Sequence, residues 1–126
     1  MYRCALAALA AAVVIAPAAA QVQRTFPQSA LRGEMVVGNP PDISLNGKPG
    51  RLAPAARIRG QNNMIEMSGA LAGARLLVHY TLDTDGMVKD VWILRPEELA
   101  KVPWPTTPLQ SQTWVFDPTA QSWKMN

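Results

Sequence analysis

The chain has 126 residues, 48% of them hydrophobic and 17% charged, and a formal net charge of +3. That length suits one domain with its own core, and so small a charge excess argues against a nucleic-acid partner. One cysteine and one histidine exclude a disulfide scaffold and leave thiol chemistry a single candidate.

The first element removes that candidate. Arg3 precedes an apolar run from Cys4 to Ala16, and Pro17 and Ala18-Ala19-Ala20 then give a small-residue A-x-A site ahead of Gln21. Charge, apolar run and small residues in that order are the pattern of a cleaved secretory signal peptide. The run is too short and too rich in alanine for a spanning helix. Cleavage after Ala20 divides the chain into a signal peptide over residues 1–20, an irregular lead-in over 21–30 and a single β-rich domain over 31–126. The protein is then exported, periplasmic or secreted, has no stable membrane span in its mature form, and carries no thiol. Twelve basic residues less Arg3 leave eleven against nine acids, a net charge of +2.

Beyond residue 30, short apolar bursts alternate with turn residues: EMVVG, DISLNG, ARIRG, MIEMSG, ARLLVHYTL and MVKDVWIL. Strands at such spacing, broken by Gly, Pro and Asn, predict a mainly β fold, a small antiparallel β sandwich or barrel-like domain. Asn46-Gly47 marks a tight turn, since both residues tolerate positive φ. Pro40-Pro41 and Pro54 are expected to keep their neighbours out of central strands.

The strongest element is the hairpin HYTLDTDGMVKDVWIL, His79 to Leu94. Asp83-Thr84-Asp85-Gly86 begins like a calcium loop. Counted from Asp83, however, the sixth position is Val88 and the twelfth is Leu94, where an EF-hand loop needs Gly and Glu. The four residues suit a type I turn closed by a left-handed glycine. Pairing Asp83 with Met87 sets Leu82 opposite Val88, Tyr80 opposite Asp90, Val78 opposite Trp92 and Leu76 opposite Leu94. That register predicts a core face of Leu76, Val78, Tyr80, Leu82, Val88, Trp92 and Leu94, and an outer face of Leu77, His79, Thr81, Lys89, Val91 and Ile93. His79 then faces Val91, or Asp90 if the loop is one residue longer.

One short helix is expected at Pro96–Lys101, with Pro first, acids in the first turn and a base at the end. Thr107 to Gln112 has the composition for one more turn, and Trp104 to Pro108 reads as extended, with Trp104 tucked down. In the tail, Asp117-Pro118-Thr119-Ala120 favours a type I turn that lets Trp114, Phe116 and Trp123 meet across a hairpin. This turn is similar to the D-P-x-T-x-x-W hairpin of a kelch repeat, as turn chemistry in a single copy.

Tyr80, Thr81, Leu82, Asp83, Asp85, Gly86, Val88, Asp90 and Val91 resemble the x-x-x-D-x-D-G-x-V-x-D-V hairpin of TonB C-terminal domains. Trp114-Val115-Phe116-Asp117-Pro118 falls where those domains carry W-x-F-x-P. More broadly the core ARIRG…N…SGAL.G…YTLD..G.V.DVWIL resembles small uncharacterised secreted proteins of proteobacteria. That resemblance implies an envelope location and no particular activity.

The chemistry narrows by elimination. No G-x-S-x-G, P-loop or dinucleotide fingerprint occurs, and a nucleophile would have to be a Ser or Thr activated by His79. No catalytic, metal or cofactor residue is therefore assigned, and no cofactor is expected. Met64 and Met67 with His79 suggest soft copper ligands, but positions 64 and 67 point to opposite faces of a strand. Arg57 and Arg59 share one strand face, with Arg51 nearby. Guanidinium groups so placed can grip an anion, or simply protect a sheet edge. The expected function is a non-enzymatic exported binding module for an envelope protein or polymer. The alternative is a small anion- or glycan-binding protein, enzymatic or not, using the Arg57/Arg59 face. Arg51, Arg57, Arg59 and Trp104 are the candidate anion- or partner-binding residues.

Overall fold

The computed structural model describes residues 23–125; the expected signal peptide and its cleavage point lie outside them. In chain order the elements are β1 (Leu31–Val37), β2 (Asp42–Leu45), β3 (Lys48–Arg59), β4 (Ile65–Glu66), β5 (Arg75–Leu82), β6 (Val88–Ile93), α1 (Pro96–Leu99), α2 (Pro108–Thr113), β7 (Val115–Asp117) and β8 (Ser122–Lys124). Five of the strands close on themselves in the order β1-β2-β3-β6-β5, with β4 hung on the outer end of β3. The meander β1–β2–β3 followed by β5 returning beside β1 is a Greek key. The result is a small five-stranded Greek-key barrel, antiparallel throughout except where β3 and β6 run parallel.

Two cores hold this arrangement. Inside the barrel Leu31, Met35, Val37, Ile43, Leu52, Ile58, Val78, Tyr80, Val88 and Val91 form one buried cluster. Outside it, against β5 and β6, Phe26, Ala30, Trp92, Leu94, Trp104 and Trp123 form a second. The lead-in is irregular, as its sequence suggests, yet it belongs to the fold. Phe26 is buried in the second core, and its N–H donates to Gln121 Oε1 at 2.8 Å.

The second core corrects the expected hairpin register. The turn forms as anticipated: Asp83 N–H donates to Met87 O at 2.8 Å, Asp83 Oδ1 accepts from the N–H groups of Asp85 and Met87, and Gly86 sits at φ 82°. Leu82 also faces Val88, but Thr81 then faces Asp90, so Lys89 is an extra residue, a β-bulge. Beyond the bulge every pair is displaced by one: Tyr80 faces Val91, His79 faces Trp92 and Val78 faces Ile93. Val91 therefore enters the barrel, Trp92 and Leu94 join the outer core, and Leu82 is exposed at 38%. The outer face, expected to be half polar, is covered around His79 and Thr81, which are buried, while Leu77 and Lys89 stay exposed.

Pro54 also departs from expectation, lying within the twelve-residue β3. Pairing with β2 ends at Arg51, and pairing with β6 jumps from Leu52 to Arg57. Pro54 thus sits where neither neighbouring ladder calls on its missing N–H. The helix at Pro96 forms, and a second follows at Pro108, started by Thr107, whose side chain accepts from Gln110 N–H. The tail hairpin forms as its turn residues suggest: Phe116 pairs with Trp123, their rings 4.7 Å apart, and Asp117 Oδ1 accepts from the N–H groups of Thr119 and Ala120.

Candidate functional site

The far half of β3 points Arg57 and Arg59 outward by simple alternation, while Ile58 between them is buried in the barrel. Beside them in the parallel ladder lie Asp90 and Trp92 of β6. The loop after β3 contributes Asn62 and Asn63, and the lead-in forms the opposite wall with Gln23, Arg24, Thr25 and Pro27. Together with Arg95 these residues line an open groove of about 840 Å³.

The groove is strongly asymmetric in charge. Its lining holds four arginines and one carboxylate, whereas the rest of the chain has eight basic and eight acidic residues. Glu98 pairs with Arg24 and stands 4.0 Å from Arg95, so the cluster as a whole holds four arginines and two carboxylates, an excess of two positive charges.

The four arginines are not equivalent. Arg24 is buried and committed: Nε donates to Glu98 Oε2 at 2.8 Å, Nη2 meets the other Glu98 oxygen and Ile93 O, and Nη1 donates to Gly60 O. Arg95 Nε donates to Gln61 O. Burial alone would raise the Glu98 carboxyl. Hydrogen bonds from Arg24 and the Arg95 backbone, and the charges of both arginines, outweigh it and hold Glu98 below the usual carboxylate range. Arg59 stands 3.6 Å from Asp90 and lies over the Trp92 ring at 5.7 Å. Arg57 is exposed and makes no hydrogen bond or ion pair with any described residue.

Sequence reasoning found Arg57 and Arg59, and the structure brings them together in the groove. It does not bring the other two. Arg51 is exposed on β3 outside the groove lining. Trp104 is only 5% exposed, with its indole N–H donated to Ala30 O at 3.0 Å, so it serves the core and offers no surface to a partner. The edge-protection reading is corrected at Arg59, where β3 is flanked by β6 on one side and β4 on the other, while Arg57 is paired with β6 alone. Arg24, Asp90, Trp92 and Arg95 escaped the sequence reading, since nothing local to them signals a shared surface. The apolar run Val91-Trp92-Ile93-Leu94 did carry one clue, for a strand covered on both faces reads as continuous rather than alternating.

His79 is removed from chemistry. Its Nε2 accepts from Arg32 Nε at 3.2 Å, which puts the ring proton on Nδ1, where no described acceptor lies. The ring stacks on Trp104 at 4.0 Å and meets Phe26 edge-on at 4.5 Å. Burial, reinforced by the charges of Arg32 and Arg24, pushes its pKa from 6.5 down to about 2. It faces neither Val91 nor Asp90 but Trp92. Met64 and Met67 are exposed at 66% and 75%, so they do not converge on the buried His79. Among the described residues no group of three His, Cys, Asp or Glu side chains is placed to hold a metal ion, and no helix is long and apolar enough to cross a membrane.

No family model, curated protein or solved structure matches the chain.

Proposed function

We propose that the protein is a non-enzymatic, exported binding module that holds an anionic ligand in the arginine groove. The observation that carries this reading is the excess of arginine on one concave surface, with Arg57 unpaired among the described residues and Arg59 only loosely paired. Guanidinium forks suit carboxylate and phosphate oxygens, and a concave wall strengthens their field. Trp92 is 9% exposed beneath Arg59, so it offers no open ring for a sugar to stack on, and the ligand is recognised by charge. The burial and low basicity of His79 support a role in packing over one in catalysis. Export is supported by the order of Arg3, apolar run and small-residue site.

A second reading rests on the exposed Met64, Ile65 and Met67 around β4, at 66%, 58% and 75%. Apolar residues beside the groove suit a protein partner from the cell envelope, with the anionic group as part of it.

Crosslinking in intact cells, followed by purification, tests both. The Arg57→Gln/Arg59→Gln double variant is expected to lose what the wild type captures. Arg51→Gln, on the same strand outside the groove, is expected to retain it. Equal capture by the wild type and the double variant would overturn the groove reading, and loss on Met64→Ser/Met67→Ser alone would establish the second.

A further inference from the structure

Three large apolar side chains stand in water beside the groove. Met64, Ile65 and Met67 are 66%, 58% and 75% exposed, and they follow the groove-lining Asn62 and Asn63 in the chain. Ile65 stands opposite Arg59 in the antiparallel ladder of β3 and β4, and directly opposed residues share a face of the sheet. Arg57, two residues before Arg59, lies on that face by alternation and has no partner among the described residues. β4 ends the sheet, so no further strand covers this corner. Its stretch of chain is also biased in charge: residues 43–65 contain Lys48, Arg51, Arg57 and Arg59 and no aspartate or glutamate. Exposed apolar surface edged by polar groups marks a protein or membrane contact.

We propose that this corner is a membrane-docking surface, with Arg57 and Arg59 taking the phosphodiester of an anionic lipid while Met64, Ile65 and Met67 enter the hydrocarbon layer. This rests on the reading that the groove holds an anion, and it names the source of that anion. A free anion would satisfy Arg57 and leave the three apolar side chains in water. A bilayer satisfies both, because phosphate and hydrocarbon lie in adjacent layers. The charge balance suits a phosphodiester. Asp90 stands 3.6 Å from Arg59, so these two arginines and one carboxylate leave a single positive charge, and a phosphodiester carries a single negative one. Docking of this kind is reversible. Each arginine near an anionic surface contributes roughly fivefold in affinity, and weak anchors hold only in combination, so the basic and apolar sets are both needed.

Flotation of the mature protein with vesicles tests this. It should float with phosphatidylcholine–phosphatidylglycerol vesicles, stay behind with phosphatidylcholine alone, and be released by salt. Arg57→Gln/Arg59→Gln and Ile65→Ser/Met67→Ser should each weaken binding by roughly an order of magnitude, with melting curves like the wild type. A polarity-sensitive dye on Met64→Cys, the sole thiol of the mature chain, should shift to the blue on the mixed vesicles. Binding that survives Ile65→Ser/Met67→Ser, with no dye shift, would reduce the contact to charge and overturn the docking surface. Absence of binding to either vesicle overturns it as well. If soluble glycerophosphoglycerol still shifts the arginine Nε–H NMR signals, the groove reading stands without the membrane. If the headgroup also fails, and capture in cells is indifferent to Arg57→Gln/Arg59→Gln, both readings fall. A protein crosslinked in cells and lost on Ile65→Ser/Met67→Ser, without vesicle binding, assigns the corner to that protein and overturns the lipid.

Discussion

The imidazole of His79 lies against the indole of Trp104, ring centres 4.0 Å apart and planes 22° from parallel. Both rings are sealed between the barrel wall and the lead-in, where Phe26 meets each of them edge-on. A charged imidazole has no place there, with Arg32 donating to one of its nitrogens and Arg24 adding a second positive field.

That burial predicts an acid-sensitive fold. The folded pKa, about 2, lies below the unfolded 6.5, so between those values the unfolded chain binds a proton that the folded chain refuses. Stability is complete above pH 6.5 and falls as pH drops, by at most about 1.4 kcal/mol per pH unit. Glu98, also depressed when folded, adds its own loss once pH approaches the ordinary carboxylate range. Urea midpoints between pH 7 and pH 5 should therefore slope downward in the wild type and flatten in His79→Phe. Parallel slopes in the two proteins would show that His79 is not the group responsible.

The Arg24–Glu98 pair joins residues 74 positions apart, with side chains 5% and 9% exposed. Removing one partner strands the other charge in the interior, so Glu98→Ala or Arg24→Ala should each cost about 3–5 kcal/mol. Replacing both with apolar residues of similar volume, Arg24→Met/Glu98→Leu, should cost less than either single change. Denaturant unfolding of the four proteins checks this. Additive losses would mean that the pair is not a coupled unit.

The D-x-D-G turn is held by its backbone. Asp83 Oδ1 accepts two N–H groups and Gly86 occupies positive φ. Asp83→Ala should cost about 1 kcal/mol in lost turn hydrogen bonds. Asp85→Asn should cost less, and Gly86→Val more than either, because a β-branched residue resists the left-handed conformation. EDTA should leave the melting curve unmoved. A large fall in melting temperature with chelator, or Asp85→Asn outweighing Gly86→Val, would turn the loop back into a metal site.

Processing has the most direct test. Protein recovered from the periplasm or medium should begin at Gln21, and intact mass decides it. A mass retaining residues 1–20 sinks the export reading.

Much of the hairpin was legible because its determinants are local. A left-handed glycine and an aspartate that satisfies its own turn fix the loop whatever surrounds it, and Asp117-Pro118 does the same in the tail. The site was half legible. Alternation alone places Arg57 and Arg59 on one face, whereas Arg24 and Arg95 reach the groove through tertiary packing, from irregular chain and from the residue ahead of α1.

The sequence by itself determined the strand-rich class, the turns and the helix starts, since backbone φ preferences and side-chain-to-backbone hydrogen bonds act over a few residues. Tertiary structure decided which faces were inside. The bulge at Lys89 shifts Trp92 and Leu94 out of the barrel and Val91 into it. It is stable because the lead-in and tail supply Phe26 and Trp123, and the chain after α1 supplies Trp104, to cover the outer face. No local rule contains that cover, because it depends on aromatic residues roughly a hundred positions apart meeting over one sheet. The same meeting brings the lead-in beside β3 and closes the arginine groove.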